Sequence, residues 1–250
     1  MKVAIITGGS RGIGKSAALH TAARGVAVII TYNSHPEEAK GVVTEIKAAG
    51  GKAAAVKLDV TDTSSFSDFA QQVSQILENE WGLTAFDYLV NNAGTAQRTL
   101  IKDTTEEQFD QLMNVHCKGP FFLTQKLLPL MNDGGQVINI STALTRIAGL
   151  HGTATYAAMK GAMEVYTRYL AKEYAERKIR VNTLAPGAID TQFAGPNKRS
   201  EEEKKAIGSH TALGRCGEAD DIGLILAALL SEDSRWVNGQ RIEASGGMVL

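Results

Sequence analysis

The sequence predicts one doubly wound α/β domain over residues 1–250, a mostly parallel seven-stranded sheet with helices on both faces. Three observations predict it. Short β-rich runs recur along the chain, and most are continuously apolar, as in Val3-Ala4-Ile5-Ile6. Unbroken apolarity marks strands covered on both faces, the condition of a parallel sheet. Helix-length stretches separate the runs to the end of the chain, with no composition shift that would mark a second domain. Finally, a glycine-rich turn joins the first strand to the first helix, where such sheets bind ligands.

The expected strands are residues 3–7, 26–32, 53–59, 88–91, 137–141, 180–185 and 241–244. Helices are expected over 14–24, 36–49, 64–80, 106–131, 155–177 and 219–231. Gly25 ends the first helix behind Arg24, and Pro36 suits a first helical position. The least strand-like insertion, residues 192–210, holds Gly195-Pro196-Asn197 and a charged run over 200–205. It reads either as a solvated loop and helix or as a substrate lid, because it follows a strand end on the ligand-binding edge.

Charged residues make up 21% and hydrophobic ones 44% of the 250 residues, which predicts a folded globular chain. The net charge of −1 argues against nucleic acid or an anionic membrane as a partner. Cys117 and Cys216 lack any paired spacing, which fits reduced thiols in a cytoplasmic protein rather than a disulfide framework or zinc module. The apolar N-terminal run is too short for a signal peptide, and no run reaches the roughly 18 to 20 residues of a membrane span. The histidines show no metal-ligand spacing, so no metal is expected. The absence of a Gly-x-Ser-x-Gly elbow speaks against a serine hydrolase.

The turn reads Thr7-Gly8-Gly9-Ser10-Arg11-Gly12-Ile13-Gly14. Glycine allows positive φ and close backbone approach. The free amides and dipole of the new helix favour a pyrophosphate. Gly8, Ser10, Arg11, Gly12, Ile13 and Gly14 are therefore candidate contacts of a dinucleotide in a Rossmann-type fold.

Further motifs follow in order: Asp59-Val60, Asn91-Asn92-Ala93-Gly94, Asn114, Tyr156-x-x-x-Lys160 and Pro186-Gly187-x-x-x-Thr191. Together with the spacing Thr-Gly-x-x-x-Gly-x-Gly, they make nearly the whole chain resemble the classical short-chain dehydrogenase/reductase family. The resemblance implies hydride transfer between a nicotinamide and a carbonyl or secondary alcohol. It implies cofactor contacts at Asp59, Val60, Asn91, Ala93, Gly94, Pro186, Gly187, Ile189 and Thr191, besides Tyr156 and Lys160. It gives Asn114 a place in a water-linked proton path to Lys160, and leaves the neighbouring His116 structural. It also implies a homotetramer, for which residues 117–131, 157–171 and 236–250 offer apolar surface.

The catalytic pair has its own logic. Free tyrosine, with a pKa near 10, is a poor base at neutral pH. Lys160 lies one helical turn from Tyr156 on the same face, and its charge, with that of oxidised nicotinamide, is expected to stabilise a phenolate. Tyr174-x-x-x-Lys178 repeats the spacing, but 174 − 156 = 18 residues puts it about five turns away, at the far end of the helix. Tyr156 is the one expected at the carboxyl ends of the strands, and Tyr174 is read as packing or surface. A hydroxyl must also polarise the carbonyl. The candidates are Ser141 and Thr142, and neither stands at the family's usual distance before the tyrosine. Alignment from the strand favours Thr142, which can donate the same bond, while Ser141 is expected to bond locally to the backbone.

The second strand ends Thr31-Tyr32-Asn33-Ser34, without the acidic residue that binds a ribose 2′-hydroxyl in NAD users. Tyr32, Asn33 and Ser34 are read as the adenosine ribose pocket, with Arg11 as a planar cation nearby. NADP(H) is therefore preferred, with NAD(H) as the alternative. The leading reading is an NADP(H)-dependent oxidoreductase acting on a small-molecule carbonyl or alcohol. Its alternatives are a 3-oxoacyl-carrier-protein reductase and a non-catalytic dinucleotide-binding regulatory protein. Gln97, Arg98, Thr99 and Arg146 are expected to line or cover the substrate pocket, and Arg98 or Arg146 reads either as a contact for an anionic substrate or as a surface charge only.

Overall fold

The structure is a computed structural model that describes residues 1–148, 150–195 and 199–250. Its strands are β1 (Val3–Ile6), β2 (Ala27–Tyr32), β3 (Ala53–Lys57), β4 (Phe86–Asn91), β5 (Met131–Ile140), β6 (Arg180–Pro186) and β7 (Arg241–Ala244). They form one seven-stranded sheet in the order β3-β2-β1-β4-β5-β6-β7. Every pairing in it is parallel. The helices are α1 (Gly12–Ala23), α2 (Pro36–Ala48), α3 (Phe66–Trp81), α4 (Glu106–Met113), α5 (Gly119–Leu127), α6 (Ala154–Glu173), α7 (Glu201–Gly208) and α8 (Ala219–Leu229).

The continuous apolar runs are explained by two cores. Val3, Ile5 and Ile29 pack on one face with Phe69 and Leu77 of α3, Leu123 of α5 and Leu170 of α6. Ala4, Ile6 and Ile30 pack on the other with Ala18 of α1, Val42 of α2 and Leu226 of α8. Successive residues of a strand point to opposite faces, so a strand buried on both cannot alternate with polar residues. Ile5 and Ile6 are fully buried, and truncating either to alanine should cost about 2 to 5 kcal/mol. Helix α8 lies close along α1, where a Cβ on Gly223 would meet Ser16 Oγ at 2.1 Å.

Two expectations change. Residues 106–131 do not form one helix: α4 runs into a π-helical turn at Asn114–Lys118, and only then does α5 begin. Pro120 brings no N–H to the helical ladder, and Gly119 is pressed so close to Val60 that a Cβ would lie 2.1 Å from its carbonyl oxygen. A wider turn accommodates both, with the Gly119 amide donating back to Asn114. Strand β5 also begins at Met131, paired with Phe86, rather than at residue 137. The intervening Asn132-Asp133-Gly134-Gly135 reads as a turn in sequence, and a register shift between Phe86 and Tyr88 absorbs it.

Candidate active site

Strands β1 and β4 are neighbours although α1, β2, α2, β3 and α3 separate them in sequence. The chain order reverses there, and a crevice opens at their carboxyl ends. Thr7 ties its two sides together: its hydroxyl accepts the amides of Asn92 and Ala93, both at 2.9 Å. The Asn92 side chain donates to the carbonyls of Thr7 and Gly8 at 2.8 and 3.1 Å. A cavity of about 1740 Å³ occupies this crevice.

One end of the cavity is built from backbone. Gly8 has φ +63°, and a Cβ on Gly14 would lie 2.2 Å from the Gly8 oxygen. No side chain caps the start of α1, and its first turn carries no carboxylate. Its leading amides are thus free for an anion, and the glycine cradle fits a pyrophosphate. Ser10, Arg11, Gly12 and Ile13 line this end. Tyr32, Asn33 and Ser34 continue it, with Asp59 and Val60 beyond. Burial acts to raise the Asp59 carboxyl, but bonds from the Thr61 amide and hydroxyl and from Asn33 outweigh it and hold it below its ordinary range.

At the other end, Tyr156 near the start of α6 and Thr142 beyond β5 line the cavity together. Burial pushes the Tyr156 phenol up to about 12, with the Thr142 side chain acting against it. The upward shift comes from burial in the chain alone, without the nicotinamide charge that the expected phenolate also draws on. Lys160 is buried and donates from Nζ to the Ile140 carbonyl at 2.6 Å. Its Nζ stands 5.9 Å from the Tyr156 ring centroid, and burial pulls it down to about 8. In the chain alone, Tyr156 is thus a neutral phenol at neutral pH. Asn114 lines the same cavity from the first position of the π-helical turn.

The family profile described as Enoyl-(Acyl carrier protein) reductase matches residues 8–249. A curated relative, the hydroxynaphthalene reductase-like protein Arp2 of Metarhizium brunneum, is 35% identical, with 99% of this chain and 95% of the relative covered. The short-chain dehydrogenase/reductase FrzI of a Cladobotryum species is 37% identical over 99% of this chain and 96% of its own. The chain belongs to the short-chain dehydrogenase/reductase family. Among solved structures, the angucycline C-6 ketoreductase LanV with bound NADP superposes with a TM-score of 0.92 at 34% identity, covering 99% of this chain and 95% of LanV.

Within this family member most of the sequence-selected residues share the one cavity, and a few do not. Asn91 is corrected: its side chain turns into the protein, donating to Thr124 Oγ1 at 2.9 Å and Asn139 Oδ1 at 2.8 Å. Asn92, Ala93 and Gly94 form the wall instead. Ser141 does not bond locally to the backbone. It donates to Glu164 at 2.6 Å. Tyr174 ends α6 and packs against the core, away from the crevice. Pro186, Gly187, Ile189 and Thr191 line the cavity beyond β6, with Thr191 packed 3.5 Å from where a Gly12 Cβ would sit. Gln97 and Arg98 reach the wall. The Thr99 amide is instead bonded to the Gly152 carbonyl at 2.9 Å. Arg146 is committed to Glu243 at 2.6 Å and stands outside the wall. Pro196 and Asn197 lie outside the described residues.

His116 carries more than its sequence suggests. It is fully buried, its Nε2 donates to the Thr95 carbonyl at 2.8 Å, and its ring stands edge-on to Tyr156 at 5.0 Å. Burial, then the charge of Lys160, pushes the imidazole down to about 3, so it stays neutral. It braces the Tyr156 ring and the loop after β4 without adding charge. Phe193 lines the cavity 6.1 Å from the Tyr156 ring. Neither residue sits in a motif, so only tertiary contact reveals them. Among the described residues no group of three metal-ligating side chains comes together, and no helix is long and apolar enough to cross a membrane.

Proposed function

We propose that this chain is an NADPH-dependent reductase of cyclic or aromatic ketones. The observation that carries the reading is that Thr142, Tyr156 and Lys160 share one cavity with the uncapped start of α1. A bound NADPH would supply the hydride. Thr142 polarises the carbonyl, Tyr156 delivers the proton from its hydroxyl, and Lys160 holds positive charge beside it while binding the nicotinamide ribose. Asn114 supports proton resupply to Lys160.

Arg11 beside Tyr32-Asn33-Ser34, with no carboxylate at the strand end, supports NADP(H) over NAD(H). LanV, whose structure holds NADP, supports it by likeness. The cavity lining includes an apolar set, Leu144, Ile147, Phe193, Ile207 and Met248, beside polar residues such as Gln97 and Gln192, and the apolar set suits a flat hydrophobic ketone. The names of LanV and Arp2 point to the same class. The described parts of the 192–210 insertion, with α7 capped by the Ser200–Glu203 box, act as a lid in this reading.

A cytoplasmic homotetramer completes the proposal. Exposed Phe121, Phe122 and Tyr169 on one side and Trp236 on another are its candidate interfaces. Light scattering at micromolar concentration should give four chains, and a monomer would contradict this. The test of function is nicotinamide oxidation with a bicyclic aromatic ketone, a 3-oxoacyl thioester and no substrate. Turnover of the aromatic ketone with NADPH supports the reading. Preference for the thioester would make it an acyl-chain reductase, and binding of NADPH without turnover of any substrate would make it a regulatory protein.

A further inference from the structure

We propose that a file of alternating charges, Glu164–Arg241–Glu243–Arg146, positions both the carbonyl-polarising corner at Thr142 and the C-terminal wall of the substrate cavity, with Arg146 as the residue that sets ketone affinity. The proposal rests on the reading that a ketone is reduced beside Tyr156.

Tyr156, Lys160 and Glu164 recur at four-residue steps on α6 and therefore share one face. The third member takes no part in proton transfer. Glu164 Oε1 accepts from Ser141 Oγ at 2.6 Å, from Thr145 Oγ1 at 2.8 Å and from Arg241 Nε at 2.9 Å. Arg241 then reaches two ways, to the Thr142 carbonyl at 3.2 Å and to Glu243 at 2.9 Å. Glu243 receives the fork of Arg146 through Nε at 2.9 Å and a terminal nitrogen at 2.6 Å. Arg146 gives two further donors to the Met248 and Val249 carbonyls at 3.0 and 3.2 Å. Those last two residues line the cavity.

The file therefore runs from the strand end that carries Thr142 to the tail that walls the substrate. Two carboxylates and two guanidiniums cancel, so it orients groups without adding net charge beside Lys160. An independent sign of constraint is the tail itself. Val249 has φ +49°, the left-handed region that a β-branched residue rarely adopts. Such a conformation persists only where its surroundings over-determine it. Here Arg146 holds its carbonyl, and its amide donates to the His210 carbonyl at 2.9 Å. The same tail pairs with the segment after α7, through Ala212 to Gly247 at 3.1 Å and Leu213 to Gly246 at 3.0 Å. Releasing Arg146 should thus loosen one wall of the cavity and leave the glycine turn untouched.

Steady-state kinetics and hydrogen exchange on the full chain test this together. Arg146→Met keeps the stem and deletes the fork. It should raise the ketone KM about ten-fold, with kcat within about three-fold and the NADPH KM unchanged. Arg146→Lys should not restore it, because an ammonium cannot make the planar fork. Arg241→Met should instead lower kcat about ten-fold, by freeing the Thr142 corner. In Arg146→Met, the amides of Ala212, Leu213 and Val249 should exchange faster while those of β1 and β4 keep their protection. An unchanged ketone KM overturns the proposal, whether or not the tail exchanges faster. So does a loss shared equally between ketone and NADPH, or faster exchange throughout the sheet, which would mark a merely structural role. If wild-type protein reduces no ketone, the functional reading falls, and unchanged tail exchange would then overturn the positioning role by itself.

Discussion

The two ends of the cavity are made differently. The end that would hold the cofactor phosphates is backbone: glycines and open amides within the single stretch 8–14, at the start of α1. The end facing the substrate is made of side chains carried by distant elements, with partners 77 residues apart at Arg241–Glu164 and 97 apart at Arg146–Glu243. A backbone site depends on local conformation, and a short motif can specify it. A side-chain site depends on the finished tertiary structure, and no local motif records it.

The contrast can be pushed hardest at Gly14. A Cβ there would lie 2.2 Å from the Gly8 oxygen. Gly14→Val should therefore weaken NADPH binding by more than about 100-fold, or cost about 1 to 3 kcal/mol of stability through overpacking. Calorimetric titration and a thermal melt separate the two, and unchanged binding with an unchanged melt would break the backbone account. At the other end, Thr142→Val should cut ketone turnover by about 10² to 10³, the usual loss on removing a carbonyl-polarising donor. Ser141→Ala should cost only a few-fold, because Thr145 and Arg241 still satisfy Glu164. A reversed ranking would move the polarising role to Ser141. Arg11→Ala lies between the two kinds of construction, a side chain on the backbone end. Loss of one charge-assisted phosphate contact should raise the NADPH KM roughly ten- to hundred-fold and barely move that of NADH.

The smallest effect is a pH dependence with opposite signs for activity and stability. Burial holds Lys160 down to about 8 in the folded chain, from an ordinary value of 10.5. Its buried ammonium therefore costs stability below pH 8, and that cost is relieved as pH rises toward 10.5. Ketone reduction should instead decline through the same window as the charge beside Tyr156 is lost. Rate profiles and melts at matched pH check this, and a rate that rises across the window contradicts it.

Much of the architecture is legible because both-face burial forces continuous apolar strands, and each expected strand appears in the parallel sheet. The break in the helix over 106–131 is harder to see. Its cause is the approach of Gly119 to Val60, a contact between residues far apart in sequence. Tyr156 and Tyr174 are separable by position alone, since opposite ends of one helix meet opposite edges of the sheet. Asn91 and Ser141 mislead because a motif names residues but not the direction of their side chains; one turns to Asn139 and Thr124, the other to Glu164. Arg146 reads in sequence as an anion receptor or a surface charge, and in the fold it is a partly exposed ion-pair partner of Glu243. Tyr156 shows how burial enters where a motif is silent: in the chain alone burial raises its phenol, whereas the phenolate expected from sequence also draws on the charge of an oxidised nicotinamide.

The central claim is that the Tyr156 phenol, in one cavity with Thr142 and Lys160, is the proton donor in NADPH-dependent ketone reduction. Tyr156→Phe tests it most directly, because the ring and its contact with His116 remain while the hydroxyl is lost. NADPH affinity by fluorescence titration and ketone turnover should be measured on the same preparation. Turnover should drop by about 10² to 10⁴, the usual contribution of a positioned proton donor, with NADPH affinity within a few-fold of wild type. Turnover retained within ten-fold, or matched by the same loss in Tyr174→Phe, would contradict the account.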